Sequence, residues 1–250
     1  MAKAIAKSRS GGLLENVKTI VYAGLIAIGI RTVAFEPFNI PSGSMIPTLL
    51  VGDYLFVSKY SYGYSRFSLP FSPNLFSGRI LGRLPERGDV VVFKFPKDNT
   101  TDYIKRIIGL PGDRIQVKEG QLYINGTVAP RQLVGDYVTD EGIRMIVKEY
   151  METLPNGRQH PILKETDSGY MNNTPEFRVP DGHVFAMGDN RDNSSDSRVM
   201  DGNGVGFVPV QNLVGRAEFI FFSIDASAPW WEVWEWPFEI RWSRLLHGIS

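Results

Sequence analysis

The sequence feature that most constrains the fold is an apolar segment near the N-terminus. Twelve uncharged residues, TIVYAGLIAIGI, occupy positions 19–30, and the stretch from Val17 to Phe35 counts nineteen residues. Lysine and arginine residues flank it on the N-terminal side, at positions 3, 7, 9 and 18. About twenty apolar residues of helix cross a bilayer, and a basic flank stays in the cytoplasm. The segment therefore predicts a transmembrane anchor at 17–35 behind a cytoplasmic tail at 1–16.

A removed signal peptide is the alternative, because its apolar core has a similar length. Thr32-Val33-Ala34 offers a weak cleavage motif, but Arg31 lies directly before it. Cleavage after Ala34 would also release the chain six residues before its most distinctive motif. We favour an uncleaved single-pass anchor, which places the chain after residue 36 outside the cytoplasm.

The chain beyond the anchor predicts strands. Segments rich in β-branched and aromatic residues, bounded by Gly, Pro or Asp, occupy 89–95, 103–109, 183–189 and 216–224. Turn signals that predict hairpins stand at Glu119-Gly120, at Asn125-Gly126 and at the Pro-Asn-Gly of 155–157. These patterns predict a mainly β fold built on antiparallel sheets.

No helical period of useful length occurs between residues 37 and 225. We expect one larger β domain, which would carry the catalytic residues, at 36–112 and 181–225, with a smaller inserted β subdomain at 113–180. The remaining 226–250 form a C-terminal segment that holds all five tryptophans of the chain.

Two segments are unusually aromatic, 60–78 with six Phe and Tyr residues and the Trp-rich 226–250. Aromatic side chains interspersed with charge suit a membrane interface. Burial against the sheet is the alternative interpretation for both segments.

Composition excludes several classes of site and partner. Acidic and basic residues number 27 each, so no nucleic-acid partner is expected. Cysteine is absent, which removes thiol nucleophiles, thiolate metal sites and disulfides. The three histidines, at 160, 183 and 247, are far apart, and the acidic loop 188–198 lacks the Gly and Glu spacing of a calcium loop. We expect no metal and no cofactor.

The motif IPSGSMIPTLLVGD at 40–53 places Ser44 between glycine and proline residues, where a nucleophile would need a base. His183 is the only histidine near another motif. Lys105 is the other candidate, because it lies in an apolar strand beside Ile104, and burial favours the neutral amine that acts as a base. Composition alone leaves open that Lys105 is an ordinary lysine on the solvent face of its strand.

The order of motifs resembles that of bacterial type I signal peptidases. A membrane segment precedes PSGSMIPTLLVGD, RGDVVVFKFP, DYIKRIIGLPGD and GDNRDNSSDSR, at 41–53, 87–96, 102–113 and 188–198. The resemblance spans about residues 15–225. It implies a membrane-anchored serine endopeptidase that removes signal peptides from exported preproteins, with membrane lipid as a second partner. The enzyme would lie in the bacterial inner membrane with its catalytic domain on the periplasmic side.

The resemblance also implies roles for individual residues. Ser44 matches the nucleophile and Lys105 the general base. Ser42 matches the serine whose hydroxyl forms the oxyanion hole together with the Ser44 N–H. Ser194 matches the residue that hydrogen-bonds and orients the lysine.

Further matches concern the surroundings of these residues. The charge pairs that brace the site correspond to Arg106 with Asp189 and to Asp196 with Arg198. The apolar pockets that select small side chains one and three positions before the cut correspond to Phe38, Ile40 and Ile104. The resemblance also favours the interpretation that the two aromatic segments contact lipid.

Two other functions are compatible with parts of the pattern. A self-cleaving Ser-Lys protein of the repressor type shares the chemistry but needs a DNA-binding helix-turn-helix where this chain has an anchor. A catalytically silent, membrane-tethered β module that binds exported peptides would share the fold. Loss of Ser44 or Lys105 would have indicated that module, and both residues are present.

Overall fold

The computed structural model describes residues 10–69, 72–139, 145–202, 204–225 and 236–249. Its first element is helix α1, Ser10–Val33. Within the described residues, Glu15–Val33 is the one helical stretch long and apolar enough to cross a membrane, and none of it is buried in protein. At about 1.5 Å per residue α1 is roughly 36 Å long, which exceeds a hydrocarbon core of about 30 Å.

Strands make up most of the remaining structure. In chain order they are β1 (Phe35–Asn39), β2 (Asp53–Ser58), β3 (Val90–Lys94), β4 (Asp102–Gly109), β5 (Arg114–Lys118), β6 (Gln121–Ile124), β7 (Thr127–Val128), β8 (Arg131–Thr139), β9 (Met145–Thr153), β10 (Gln159–Lys164), β11 (Phe177–Arg178), β12 (His183–Met187), β13 (Val208–Pro209) and β14 (Leu213–Ser223). A second helix, α2, spans Trp236–Glu239. The mainly β, antiparallel fold predicted from the sequence is confirmed.

Seven strands form the main sheet in the order β1-β2-β14-β3-β4-β12-β13, and every neighbouring pair is antiparallel. Strand β14 comes last in the chain but lies between β2 and β3. The core on one side of this sheet buries Leu55, Val57 and Ile220, and it also receives Met45 and Leu49 from the turn that follows β1. This packing holds the segment after β1 firmly against the sheet.

The helix ends two residues before the predicted anchor at 17–35 does, because the chain enters the sheet at once. Phe35 begins β1 and pairs with Ser58 of β2. The Tyr64 hydroxyl donates to the Val33 carbonyl oxygen at 2.8 Å. The end of α1 is therefore fastened directly to the main sheet.

Two smaller sheets occupy the middle of the chain, one in the order β11-β5-β6-β7 and one in the order β10-β9-β8. The predicted hairpins at Glu119-Gly120 and Asn125-Gly126 form, and all four residues have positive φ, as a type I′ turn requires. In the second sheet β10 extends its pairing to the loop at 188–198: the Leu163 N–H donates to the Asp189 carbonyl oxygen at 2.9 Å. The small sheet thereby supports that loop.

The C-terminal segment pairs with β14 and with the residue that follows it, through bridges of Gly248 to Phe219 and of Ile240 to Ile224. Trp242 is exposed, whereas Trp230, Trp231 and Trp234 lie outside the described residues. The predicted lipid contact of this segment stays a prediction.

In the aromatic segment 60–78 some side chains are buried against the sheet and others are exposed. Tyr62 and Phe67 are buried in the core, so lipid contact is wrong for these two side chains. Tyr60 is half-exposed, and Leu75 is 75% exposed. Only the exposed members of the segment can face a membrane.

Candidate active site

Ser44 lies in a three-residue 3-10 turn, Gly43–Met45, that follows β1. The turn is anchored from below, because the side chains of Met45 and Leu49 are completely buried. It is anchored from the side by Asn190, whose N–H donates to the Ser44 carbonyl oxygen at 3.1 Å and whose Nδ2 donates to the Gly43 carbonyl oxygen at 3.2 Å. The main chain that carries the Ser44 hydroxyl is thus held by both the core and the loop 188–198.

Lys105 reaches this turn from β4. Its Nζ lies 2.6 Å from Ser44 Oγ, and it donates to the carbonyl oxygen of Ile104 at 2.9 Å. The residue is 3% exposed. The alternative of an ordinary solvent-exposed lysine is therefore wrong.

Burial lowers the pKa of the Lys105 ammonium to about 8, although the carboxylates of Asp196 and Asp189 pull it upward. A neutral amine presents a lone pair to a hydroxyl hydrogen at this distance, so the pair has the geometry for proton transfer. At pH 7 about a tenth of the protein would hold the neutral amine, against roughly one molecule in a few thousand for an ordinary lysine.

Arg106 and Asp189 form a buried bidentate ion pair beside the dyad, with N–O distances of 2.9 and 2.8 Å. Thr48 donates its hydroxyl to the same carboxylate at 2.5 Å. Burial opposes ionisation of Asp189, but the Arg106 guanidinium prevails and holds the pKa of that carboxyl below its usual range. The pair joins β4, the loop 188–198 and the segment after Ser44.

Asp196 and Arg198 form the second predicted pair, also bidentate, with N–O distances of 2.9 and 2.8 Å. The Gly188 N–H donates to the Asp196 carboxylate at 3.1 Å. Burial disfavours the carboxylate, yet Arg198 lowers the pKa of Asp196 below its ordinary value. This pair closes the loop on itself, so that the residues between Gly188 and Arg198 keep a fixed shape.

The predicted hydrogen bond from Ser194 to Lys105 does not form in this structure. The Ser194 Oγ is buried and has no hydrogen-bond partner, while the lysine amine bonds Ser44 and Ile104. Ser194 is nevertheless close to the main chain of Ser44. A methyl group built on Gly188 would lie 2.3 Å from Ser194 Oγ and 2.4 Å from the Ser44 carbonyl oxygen.

A cavity of about 530 Å³ opens in front of the dyad. All six predicted residues of the dyad, oxyanion hole and pockets line it: Phe38, Ile40, Ser42, Ser44, Ile104 and Lys105. Ser42 enters the turn in an extended conformation, and its hydroxyl caps no N–H of that turn. None of the three histidines, all within the described residues, lines this cavity, which we call the catalytic cavity after the role predicted for it.

Comparison with known proteins gives the family. The model of a family described as signal peptidase, peptidase S26, matches residues 13–222 of the chain. The chain belongs to this signal peptidase family. Signal peptidase I of Rickettsia typhi is 47% identical over 226 residues, which cover 87% of this chain and 83% of that protein. Signal peptidase I of Rickettsia conorii is 47% identical over 215 residues, covering 83% of this chain and 78% of that protein.

Among solved structures, a signal peptidase I from Enterococcus faecalis V583 is 25% identical and covers 54% of this chain and 97% of its own, with a TM-score of 0.31. The family resemblance inferred from the motifs is confirmed by the family match and by the Rickettsia relatives.

This signal peptidase family member also holds a buried ionic cluster that the sequence analysis missed. His160 lies 3.5 Å from Glu152 and 3.9 Å from Asp189, and Arg191 binds the Glu152 carboxylate through both terminal nitrogens. Burial, with Arg106 nearby, lowers the pKa of His160 to about 4, so its imidazole is neutral near pH 7. Counting register across the Pro-Asn-Gly turn would have placed His160 opposite Glu152, as the structure does.

Other contacts of the signal peptidase site also escaped notice in the sequence. Asn193 and Ser195 line the catalytic cavity. Arg244, from the C-terminal segment, donates to the buried Asp53 carboxylate and to the Thr48 carbonyl oxygen, each at 3.0 Å. Residues so far apart in the sequence leave no local pattern that would predict their contact. Among the described residues no group of three His, Asp or Glu side chains could hold a metal ion.

Proposed function

We propose that the chain is a membrane-anchored serine endopeptidase that removes signal peptides from exported preproteins, with Ser44 as nucleophile and Lys105 as general base. The observation that carries this proposal is the 2.6 Å contact between a buried lysine amine and the Ser44 hydroxyl. Family membership supports the substrate class, because the Rickettsia relatives are named signal peptidase I.

The first half of the reaction forms an ester. Ser44 Oγ attacks the carbonyl carbon of the scissile peptide bond while its proton moves to Lys105 Nζ. The tetrahedral intermediate then collapses, the C–N bond breaks, and the lysine ammonium gives its proton to the departing amine of the mature protein. The signal peptide remains as an acyl group on Ser44.

The second half releases the signal peptide. Lys105, neutral again, takes a proton from a water molecule as that water attacks the ester carbon. Collapse of the second intermediate returns the proton to Ser44 Oγ and frees the peptide carboxylate. One buried amine thus serves as base twice and as acid twice, which suits a pKa near the working pH.

Negative charge develops on the carbonyl oxygen in both intermediates. We assign the Ser44 N–H and the Ser42 hydroxyl as its hydrogen-bond donors. The position of Ser42 on the cavity wall and its lack of a capping bond support this assignment. One such donor is worth on the order of 10²–10³ in kcat.

Ser194 is assigned as the residue that orients the lysine. Its buried hydroxyl without a partner supports this role, because such a group is costly unless it gains a hydrogen bond during the reaction cycle. The Arg106–Asp189 and Asp196–Arg198 pairs are assigned as braces that hold β4 and the loop 188–198 around the dyad. Their complete burial supports a fixed geometry.

The substrate is assigned to the gap between two free strand edges. Within the described chain, β1 pairs only with β2, and residues 102–105 of β4 pair only with β3. An extended peptide can add to such edges by main-chain hydrogen bonds. Alternate side chains of an extended peptide point the same way, so the residues one and three before the cut would face the wall of Ile40, Ile104 and Phe38. Apolar walls there favour uncharged side chains, and the family resemblance adds the preference for small ones such as alanine.

The membrane arrangement is part of the proposal. Helix α1 would cross the bacterial inner membrane once with the basic N-terminus in the cytoplasm, so that the domain beyond residue 36 lies in the periplasm. We assign 36–112 and 181–225 to the catalytic domain and 113–180 to an inserted subdomain. Lipid contact is assigned to an aromatic face next to the helix end, where Phe35, Phe56 and Tyr60 pack edge to face.

The test is cleavage of a preprotein by the purified, detergent-solubilised chain. Wild-type protein should release a mature product and a signal peptide. Ser44→Ala should release neither while keeping the thermal unfolding of the wild type, because it removes the attacking oxygen and little packing volume.

Cleavage of the preprotein by a Ser44→Ala preparation free of other proteases would refute the nucleophile assignment. A wild-type protein that binds preproteins without cutting them would instead identify a silent binding module.

A further inference from the structure

A second cavity lies next to the catalytic one, between the end of α1 and the main sheet. Its volume is about 530 Å³. Its apolar wall is formed by Ile28 of α1, by Phe38 of β1, and by Phe67 and Leu69 from the segment after β2. We call it the anchor-side cavity. The proposed mechanism leaves it without a role.

The two cavities adjoin and share part of their wall. Phe38 and Asp102 line both of them, one on each free strand edge between which the substrate is proposed to lie. A peptide bound at Ser44 that runs past Phe38 therefore enters the anchor-side cavity. Ile28, a residue of the predicted membrane anchor, lines that cavity too.

Three cations and two carboxylates also line the anchor-side cavity, and each of them has an ion-pair partner. Glu36 accepts from Arg31 at 2.6 Å and from Lys59 at 2.8 Å. Lys94 pairs with Asp102 at 2.9 Å. Each of these charges has an ion-pair partner, with Glu36 shared by two cations, and burying a further charge without a partner would be costly. The chemistry of the cavity thus suits an apolar, uncharged ligand.

We infer that the anchor-side cavity binds the carboxyl end of the apolar segment of the signal peptide, from the fourth residue before the cut onward. The inference rests on the proposed function, which fixes the occupant. The apolar part of a signal peptide precedes the cut and lies in the bilayer, so it must leave the catalytic cavity on the side of α1. The mature part leaves in the other direction, away from the membrane.

The wall that it shares with the catalytic cavity favours a peptide over a lipid chain as occupant. At about 3.3 Å per residue, the three residues that occupy the catalytic pockets span roughly 10 Å, and the following residues fall beyond Phe38. Their apolar side chains would pack on Ile28 and Leu69. The cavity would then recognise the approach to the cleavage site, in addition to the small residues at the site itself.

The experiment compares two soluble peptides with the same cleavage site. The long peptide carries four leucines before the third residue upstream of the cut, and the short peptide begins at that third residue. Wild-type kcat/KM should be higher for the long peptide by on the order of tenfold or more, since even one buried methylene contributes such factors.

Leu69→Trp is the main variant, because its indole would fill part of the cavity. It should remove the advantage of the long peptide and leave kcat/KM for the short peptide unchanged. Leu75→Trp is the matched control, since Leu75 belongs to the same aromatic segment but is 75% exposed and lines neither cavity. It should leave both peptides at wild-type values.

A second variant tests the inference even if Leu69→Trp does not fold. Leu69→Ala enlarges the cavity. A third peptide has one of the four leucines of the long peptide replaced by tryptophan. The ratio of kcat/KM for this peptide to kcat/KM for the long peptide should be higher in Leu69→Ala than in the wild type. Equal effects of both Leu69 variants on long and short peptides would overturn the inference, as would no effect on either.

An effect of Leu69→Trp that appears only in phospholipid micelles, and equally for both peptides, would assign the cavity to a lipid chain and also overturn it. Failure of the wild type to cut any peptide would instead refute the proposed function.

Discussion

Gly188 offers a quantitative test of how tightly the proposed nucleophile, Ser44, is held. A methyl group at this position would lie 2.3 Å from Ser194 Oγ and 2.4 Å from the Ser44 carbonyl oxygen. Ordinary contact distances are about 3.5 Å, so the neighbouring atoms would have to move by roughly 1 Å. The Ser44 main chain carries the reacting hydroxyl, and a misplacement of about 1 Å costs on the order of 10²-fold in rate. We expect Gly188→Ala to lower kcat/KM by about 10²-fold and to destabilise the fold by about 1–3 kcal/mol.

The assay combines cleavage of a soluble peptide with thermal unfolding of the same preparation. Gly109→Ala is the control, because its methyl group would press on Ile115 and Phe185 at 2.9 Å in a separate core cluster. It should lose comparable stability and keep kcat/KM per folded molecule. Wild-type kcat/KM for Gly188→Ala would refute the reasoning, and so would an equal loss of activity in Gly109→Ala.

Two further predictions concern the surroundings of the dyad. Ser42→Ala should lower kcat by on the order of 10²–10³ with little change in unfolding temperature, and an unchanged kcat in steady-state assays would make Ser42 only a turn residue. Asp189→Asn should destabilise the fold by about 3–5 kcal/mol at pH 7, because it leaves the Arg106 guanidinium buried without its partner. The pKa of Asp189 is depressed in the folded state, so its contribution exists above the unfolded pKa of about 3.9 and disappears as the pH falls through the folded value. Denaturation curves of the variant and wild type should therefore converge in acid, and a difference that persists there would contradict the ion-pair explanation.

The strands were predictable because their signal is local. The segment 103–109 combines β-branched residues with a Gly-Asp boundary, and it forms β4 within one residue of the predicted start. The order of strands was not predictable in the same way. The insertion of β14 between β2 and β3 joins residues more than a hundred positions apart, and no composition or turn signal records such pairing.

In the candidate site, too, the sequence motifs were predictable and several side-chain contacts were not. The motifs place Ser44 and Lys105 in recognisable sequences, and their side chains meet. The partner of Ser194 depends on a side-chain rotamer, which sequence spacing does not determine, and here the predicted bond is missing. The cluster of His160 with Glu152 depends on the register of one hairpin and on its docking to the loop 188–198.

The chain contains its own control for the central claim. Lys164 is buried like Lys105, and burial lowers its pKa to about 8 as well, but its amine bonds Asn172 and Asp192, whereas Ser44 bonds Lys105. A rate that depends on a pKa near 8 could come from either lysine. Replacing each with arginine separates the two, because a guanidinium stays charged and cannot accept a proton.

The most direct measurement is therefore the pH dependence of kcat/KM for the wild type, Lys105→Arg and Lys164→Arg on one soluble peptide. Wild-type activity should rise with pH and level off above about 8, where the Lys105 amine is neutral. Lys164→Arg should keep that profile, and Lys105→Arg should be inactive at every pH. A substantially active Lys105→Arg enzyme, with a rate that levels off near the ordinary histidine pKa of about 6.5, would contradict the Ser44–Lys105 dyad.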